Sequence, residues 1–161
     1  ANQPDYPSEL FELKGLWTSL REAGHLPPKS AFTPKTLRPW LPHIAILDVE
    51  PRPLPEACPR FRIRLMGTAT VRYFNGDYTG RWLDECTEVQ DLAEITKCLA
   101  VCIATGSPLF RFESFRETPL EVLALHQLYL PCTNTEQSTG HILCGIFGSS
   151  FWAHAAAGQV K

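Results

Sequence analysis

Cysteine and histidine are the residue types here best suited to metal, redox or acid-base chemistry, and the chain carries six of the first and five of the second. Cys98 and Cys102 stand four apart, on one face of any helix that includes them. Together with Cys132, Cys144 and either His126 or His141, they form the candidate set for a thiol-based redox or metal sensor. Structural metal sites usually announce themselves by Cys-x-x-Cys or His-x3-His spacing, and neither occurs here. For these four, as for Cys58 and Cys86, packing in a core is the plainer account, because free cysteine behaves as a small hydrophobe. His126 is the sharpest single candidate. It falls in register with Val122, Ala124, Leu128 and Leu130 on an otherwise apolar strand face, where an imidazole can ligate haem iron, donate to a polar ligand, or be satisfied within a core. An acid-base enzyme would need a second polar group converging on that histidine, and Glu113 or Glu121 is the only partner available. The remaining acids fall in turns and on wet helix faces. The expectation is no catalytic site, no metal site, and no cofactor that the sequence identifies.

The elements that would position these groups can be read from periodicity. Leu10, Leu13, Trp17 and Leu20 repeat at three-four spacing, with Leu16 widening the stripe, which predicts an amphipathic helix over 8–24 with Ser8 as its N-cap and Gly24 as its stop. That stripe must be buried on the body of the domain or on the same helix of a second molecule. The second reading makes Leu10, Leu13, Trp17 and Leu20 the candidate dimer contact. Thr33-Pro34 with Leu37, Trp40 and Leu41 suggests a short helical turn ending at Pro42. His43 to Val49 reads as a strand, and a proline-rich loop follows from Pro51 to Pro59.

Arg60 to Met66 alternates strictly, with Phe61, Ile63 and Leu65 facing a core and Arg60, Arg62 and Arg64 facing water or an anion. Thr68 to Phe74 is ambiguous between a strand turning at Asn75-Gly76 and a two-turn helix stopped there. Thr87 and Gln90 have the spacing of a capping box, and Leu92, Ile95, Leu99, Cys102 and Ile103 line one face of the helix that would follow, up to Gly106. Three strands near Leu109–Phe115, Glu121–Leu130 and Gly140–Gly148 complete an α+β pattern.

Composition narrows the partners. A chain of 161 residues with 44% apolar and 20% charged residues has the size and composition of one globular domain. A formal net charge of -2 provides no overall attraction to nucleic acid. No apolar run approaches the roughly 20 residues of a membrane helix, and no basic-then-apolar leader opens the chain, so a soluble, cytoplasmic protein is expected.

Leu41-Pro42, Ile44-Ala-Ile-Leu-Asp48, Phe61-Arg-x-Arg-Leu-x-Gly-Thr68, Gly76-Asp-x-Thr-Gly80 and Leu128-x-Leu-Pro131 occur in an order that resembles the PAS domain, of the single-domain bacterial type found mostly in alphaproteobacteria. The likeness covers roughly residues 10 to 148. It implies a five-stranded antiparallel sheet of order 2-1-5-4-3, with helices on one face and an N-terminal amphipathic helix. It also implies a helix between Thr68 and Phe74. Cys132 stands where that pattern commonly has a leucine. On physical grounds Gly67, Gly76 and Gly80 suit tight turns or close backbone approach, and Thr68, Asp77 and Thr79 suit capping.

The boundaries implied are a helix at 8–24, a PAS core at 43–148 and a tail at 149–161. PAS domains as a class bind small molecules between sheet and helices and pass occupancy on by association. Phe61, Ile63, Leu65, Tyr73 and Trp82, with Leu99, Ile103, His126 and Leu128, are then the candidate ligand-binding residues, although the apolar ones serve an ordinary core equally well. A homodimer, a small-molecule ligand and a signalling protein are the expected partners. Nucleic acid and membrane are not.

Overall fold

The computed structural model describes residues 5–53, 58–116, 121–134 and 139–152, without the side chains of 150–152. Its elements in chain order are α1 (Ser8–Ser19), β1 (Ile44–Glu50), β2 (Arg60–Met66), α2 (Thr68–Tyr73), α3 (Leu92–Thr105), β3 (Leu109–Arg116), β4 (Glu121–Thr133) and β5 (Thr139–Trp152). The five strands form one antiparallel sheet of order β2-β1-β5-β4-β3, the order that the PAS resemblance implies.

The sheet is buried on both faces. On one face, α2 and α3 cover Ala45, Leu47, Leu125, Tyr129, Cys144 and Ile146. On the other, α1 lays Leu10, Leu13 and Trp17 onto Ile44, Ile46, Leu128, Leu130 and Leu143. The Trp17 indole donates to the Pro131 carbonyl at 2.8 Å, and the Trp40 indole donates to Glu9 at 2.9 Å, fixing both ends of α1. A Cβ at Gly145 would lie 2.7 Å from Leu13 and 2.9 Å from Leu10, so this glycine lets α1 sit close to β5. The expected dimer contact is therefore corrected. Leu10, Leu13 and Trp17 are buried on their own sheet, and Leu20 is half-buried beside them.

Several local expectations also change. α1 ends at Ser19 rather than Gly24, because the Thr18 and Ser19 hydroxyls donate to the carbonyls of Lys14 and Leu16 and compete with the helical ladder. Ser8 gives no capping bond, and Pro7 occupies the N-cap position. The Thr87–Gln90 capping box does not form. Those residues lie in turns, held by the Arg81–Glu88 ion pair at 3.2 Å and the buried Cys86, and α3 starts after Asp91, whose φ is 54°. Its stop at Gly106 has a φ of 61°. β5 runs to Trp152, four residues into the stretch assigned to a tail, and 153–161 lie outside the described residues.

The segment after β2 is helical. Gly67 permits it, since a Cβ there would meet the Leu41 and Pro42 carbonyls at 2.4 and 2.5 Å. α2 closes with a Schellman pattern in which Gly76 N–H donates to Val71 and Asn75 N–H to Arg72, with Asn75 at a φ of 57°. Asp77 then turns the chain by accepting from the Thr79 amide at 3.0 Å and hydroxyl at 2.6 Å. Thr68 makes no capping bond at the start of α2.

Candidate functional site

Between α3 and the sheet lies a small apolar pocket of about 60 Å³, walled by Ile63, Met66, Phe74, Leu99, Gln127 and Tyr129 among others. It holds a few atoms and no ring system, against the roughly 300 Å³ at which ligand pockets usually begin. A larger cleft of about 410 Å³ opens beside it, between the end of α2, residues 88–90 and the outer strand β3. Phe74 and Val89 line both spaces and form the partition between them.

A buried polar strip crosses the sheet from the cleft to the cavity. Glu113 lines the cleft, while Gln127 and Tyr129 line the cavity. Tyr129 Oη donates to Gln127 Oε1 at 2.5 Å, and Gln127 Nε2 donates to Glu113 Oε1 at 2.7 Å. Arg111 Nη1 stands 2.9 Å from Glu113 Oε2, a close ion pair, yet neither atom makes a well-directed hydrogen bond. Arg111 Nη2 is 3.7 Å from Asp91. Arg111 and Glu113 are only 7% and 6% exposed, so this is an ion pair inside the domain. Burial raises the Glu113 carboxyl above its ordinary range, against the opposing pull of Arg111.

The strip follows from strand parity. β3 sends Arg111, Glu113 and Phe115 toward α3, and β4 sends Leu125, Gln127 and Tyr129 the same way. His126 and Leu128 have the opposite parity and lie on the α1 side. Leu128 is buried beneath α1, and the His126 ring meets Tyr6 edge-on at 5.4 Å and Phe112 at 5.0 Å. Desolvation holds the His126 imidazole below its usual range. The candidate ligand-binding set is therefore split by the sheet, with His126 and Leu128 on the α1 side and Ile63 and Leu99 at the α3-side cavity. Glu113 leaves the sheet on the face opposite His126, and Glu121 lies five strand residues away, roughly 16 Å.

Of the other candidates, Ile63 and Leu99 line the cavity. Phe61 is buried in the same core without reaching the cavity wall, and Ile103 is half-buried behind it. Leu65 is a correction. The β1–β2 register slips between Ile46↔Leu65 and Leu47↔Ile63, and this bulge turns Leu65 outward, 41% exposed, while Met66 takes its place at the cavity. Trp82 lies outside the cavity too, under the guanidinium groups of Arg60 at 4.2 Å and Arg62 at 5.7 Å. Tyr73 lines the cleft, and its Oη sits 3.4 Å from His43 Nδ1. The β2 arginines are engaged within the chain. Arg60 forms a bidentate pair with Asp84 at 2.8 Å, Arg64 meets Asp48 at 3.2 Å, and Arg62 donates to the Gly80 carbonyl.

The thiols do not converge on a site. Among the described residues no group of three or more ligating side chains could hold a metal ion, and all six cysteines are free. Burial pushes Cys102 and Cys132 up to about 12, and Cys144 well above its ordinary value. The Cys102 Sγ contacts the Ser107 and Tyr129 carbonyls at 3.4 and 3.7 Å, and the Cys132 Sγ contacts the Leu130 carbonyl at 3.7 Å.

Sequence reasoning missed Arg111, Gln127, Tyr129, Met66 and Phe74. The available signal was a strand, β4, apolar at both parities, which marks burial on two faces and makes any polar residue within it a buried one. Among the described residues, no helix is long and apolar enough to cross a membrane.

No family model matches this sequence, and no curated protein does. Among solved structures the chain is similar to an RNA-binding light-oxygen-voltage receptor, with 19% identity and a TM-score of 0.43 over 78% of this chain. The match spans 36% of the receptor's length.

Proposed function

We propose that this chain is a sensory or regulatory module of the PAS type, without catalytic activity, which takes a small molecule into the cleft and adjoining cavity. It passes occupancy on by association with a second copy or a signalling protein in the cytoplasm. One observation carries the reading: a buried polar strip running from Glu113 through Gln127 to Tyr129 connects an open cleft to an apolar space under α3. The separation of His126 from Glu113 by the sheet supports the non-enzymatic part, since the acid-base pairing that the sequence offers, His126 with Glu113 or Glu121, is not assembled.

Association would use surfaces other than the α1 stripe. Phe11 and Phe112, 54% and 39% exposed, remain on the α1 side of the sheet. The test is native against denaturing mass spectrometry of freshly purified protein, with an absorption spectrum and a thermal-shift screen of a metabolite library. An adduct lost on denaturation, or a library compound that raises the melting temperature of wild type but not of Phe74→Trp, is the expected result. A bare polypeptide with no shift across the library overturns the proposal.

A further inference from the structure

The charges around the cleft have opposite signs at its two ends. At the inner end, two carboxylates, Glu113 and Asp91, share the single guanidinium of Arg111 at 2.9 and 3.7 Å. This leaves a local excess of one negative charge. Glu113 spends one oxygen on Gln127 and meets Arg111 with the other off the hydrogen-bond direction, so a carboxylate with about four acceptor positions retains capacity for another donor. At the outer end, Arg72 is exposed, its guanidinium 5.5 Å above the Tyr73 ring, and it forms no ion pair among the described residues. Arg116 lines the same rim and is already engaged within the chain. Between the two ends stand Phe74 and Val89, apolar and backed by the 60 Å³ cavity.

Resting on the ligand-binding reading above, we infer that the ligand is a small zwitterion of the amino-acid class, with its ammonium on Glu113, its carboxylate on Arg72, and a small aliphatic side chain turned past Phe74 and Val89 toward the core cavity. A cleft of about 410 Å³ accommodates such a molecule. The narrow inner space excludes an aromatic side chain and admits a few carbon atoms. A simple amine would leave Arg72 unpaired, and a simple acid would leave the inner negative excess unanswered.

Each of the twenty protein amino acids is titrated into the full chain by calorimetry, followed by charge-deleted analogues of the best binder. For valine these are isobutylamine and isovalerate. The expected result is saturable binding of at least one aliphatic amino acid, with both analogues at least tenfold weaker. Arg72→Ala, a change on the exposed rim, should weaken binding about tenfold to a hundredfold, the loss of one charge-assisted contact. Glu113→Gln should abolish it, and if that variant does not fold, Arg111→Met/Glu113→Leu provides the same arm. Absence of binding by any amino acid, equal binding by either analogue, or an Arg72→Ala protein with unchanged affinity overturns the inference. A co-purifying adduct or library hit of another chemistry, with the amino acids silent, would sink the zwitterion and leave the ligand-binding reading standing. Silence in every assay would sink both.

Discussion

Deleting one charge of the buried pair should cost far more than deleting both. Arg111 and Glu113 are 7% and 6% exposed, and their closest atoms are 2.9 Å apart. Arg111→Met keeps most of the volume but leaves the Glu113 carboxylate in the interior with only Gln127 to donate to it, so it must either stay charged and unpaired or take up a proton. Breaking a buried pair in this way typically costs about 3–5 kcal/mol, whereas replacing both partners with apolar residues is often neutral or stabilising by about 1–4 kcal/mol. We therefore expect Arg111→Met to lose about 3 kcal/mol or more in urea unfolding at pH 7, monitored by far-ultraviolet circular dichroism. Arg111→Met/Glu113→Leu should match or exceed wild type.

The pH dependence carries the sign of the Glu113 shift. Its carboxyl is raised above the ordinary 4.5 in the folded state, so the folded chain holds that proton more tightly than the unfolded chain does. The group's stabilising contribution is complete below about pH 4.5 and fades as pH rises through the raised value. This falling limb should be absent from Glu113→Gln. An Arg111→Met loss below about 1 kcal/mol, or an Arg111→Met/Glu113→Leu loss equal to the sum of the Arg111→Met and Glu113→Leu losses, would refute the description of a strongly coupled buried pair.

Other outcomes follow from particular contacts. Cys58 is exposed while Cys86, Cys102, Cys132 and Cys144 are buried, so a thiol reagent should titrate Cys58 first and reach all six only on denaturation; rapid reaction of three or more would contradict this packing. Leu13→Ala should destabilise by about 2–5 kcal/mol in chemical unfolding, because α1 belongs to the core of a single chain; a loss seen only as weakened self-association would restore the dimer contact. Gly67→Ala should cost about 3 kcal/mol through collision with two carbonyls, and Gly80→Ala only about 1–2 kcal/mol, since its φ is 89° but the space around it is open. The two midpoints, compared in one thermal scan, should separate in that order.

The fold was more legible in the sequence than the site. Alternation along β2 from Arg60 to Arg64, the αL stop at Gly106 and the three-four stripe of α1 each survive in the structure, because each is a local consequence of backbone geometry, whereas the helix stopped at Asn75 follows from the resemblance and not from local propensity. What failed depended on tertiary context. Leu65 alternates properly with Ile63, and only the bulge against β1 turns it out. His126 aligns with apolar neighbours, but β4 is apolar at both parities, so periodicity alone does not say which face meets α3. The polar strip was hidden for the same reason: Arg111 and Glu113 alternate with Phe110 and Phe112, a pattern compatible with a solvated face, and only the packing of α3 buries them. Thr87 and Gln90 had the spacing of a cap, but Cys86 and the Arg81–Glu88 pair hold that segment in turns.

The position of β5 has a consequence for how the chain acquires its structure. It follows all other described strands in sequence yet lies in the middle of the sheet, with β1 on one side and β4 on the other. During synthesis on the ribosome, the β1–β2 and β3–β4 hairpins can form first, but each waits with an apolar inner edge unpaired until β5 emerges. Such edges are templates for pairing with another chain, and long-range closure of this kind is intrinsically slow. A truncation or premature stop before Thr139 should therefore yield two adhesive half-sheets rather than a smaller folded domain.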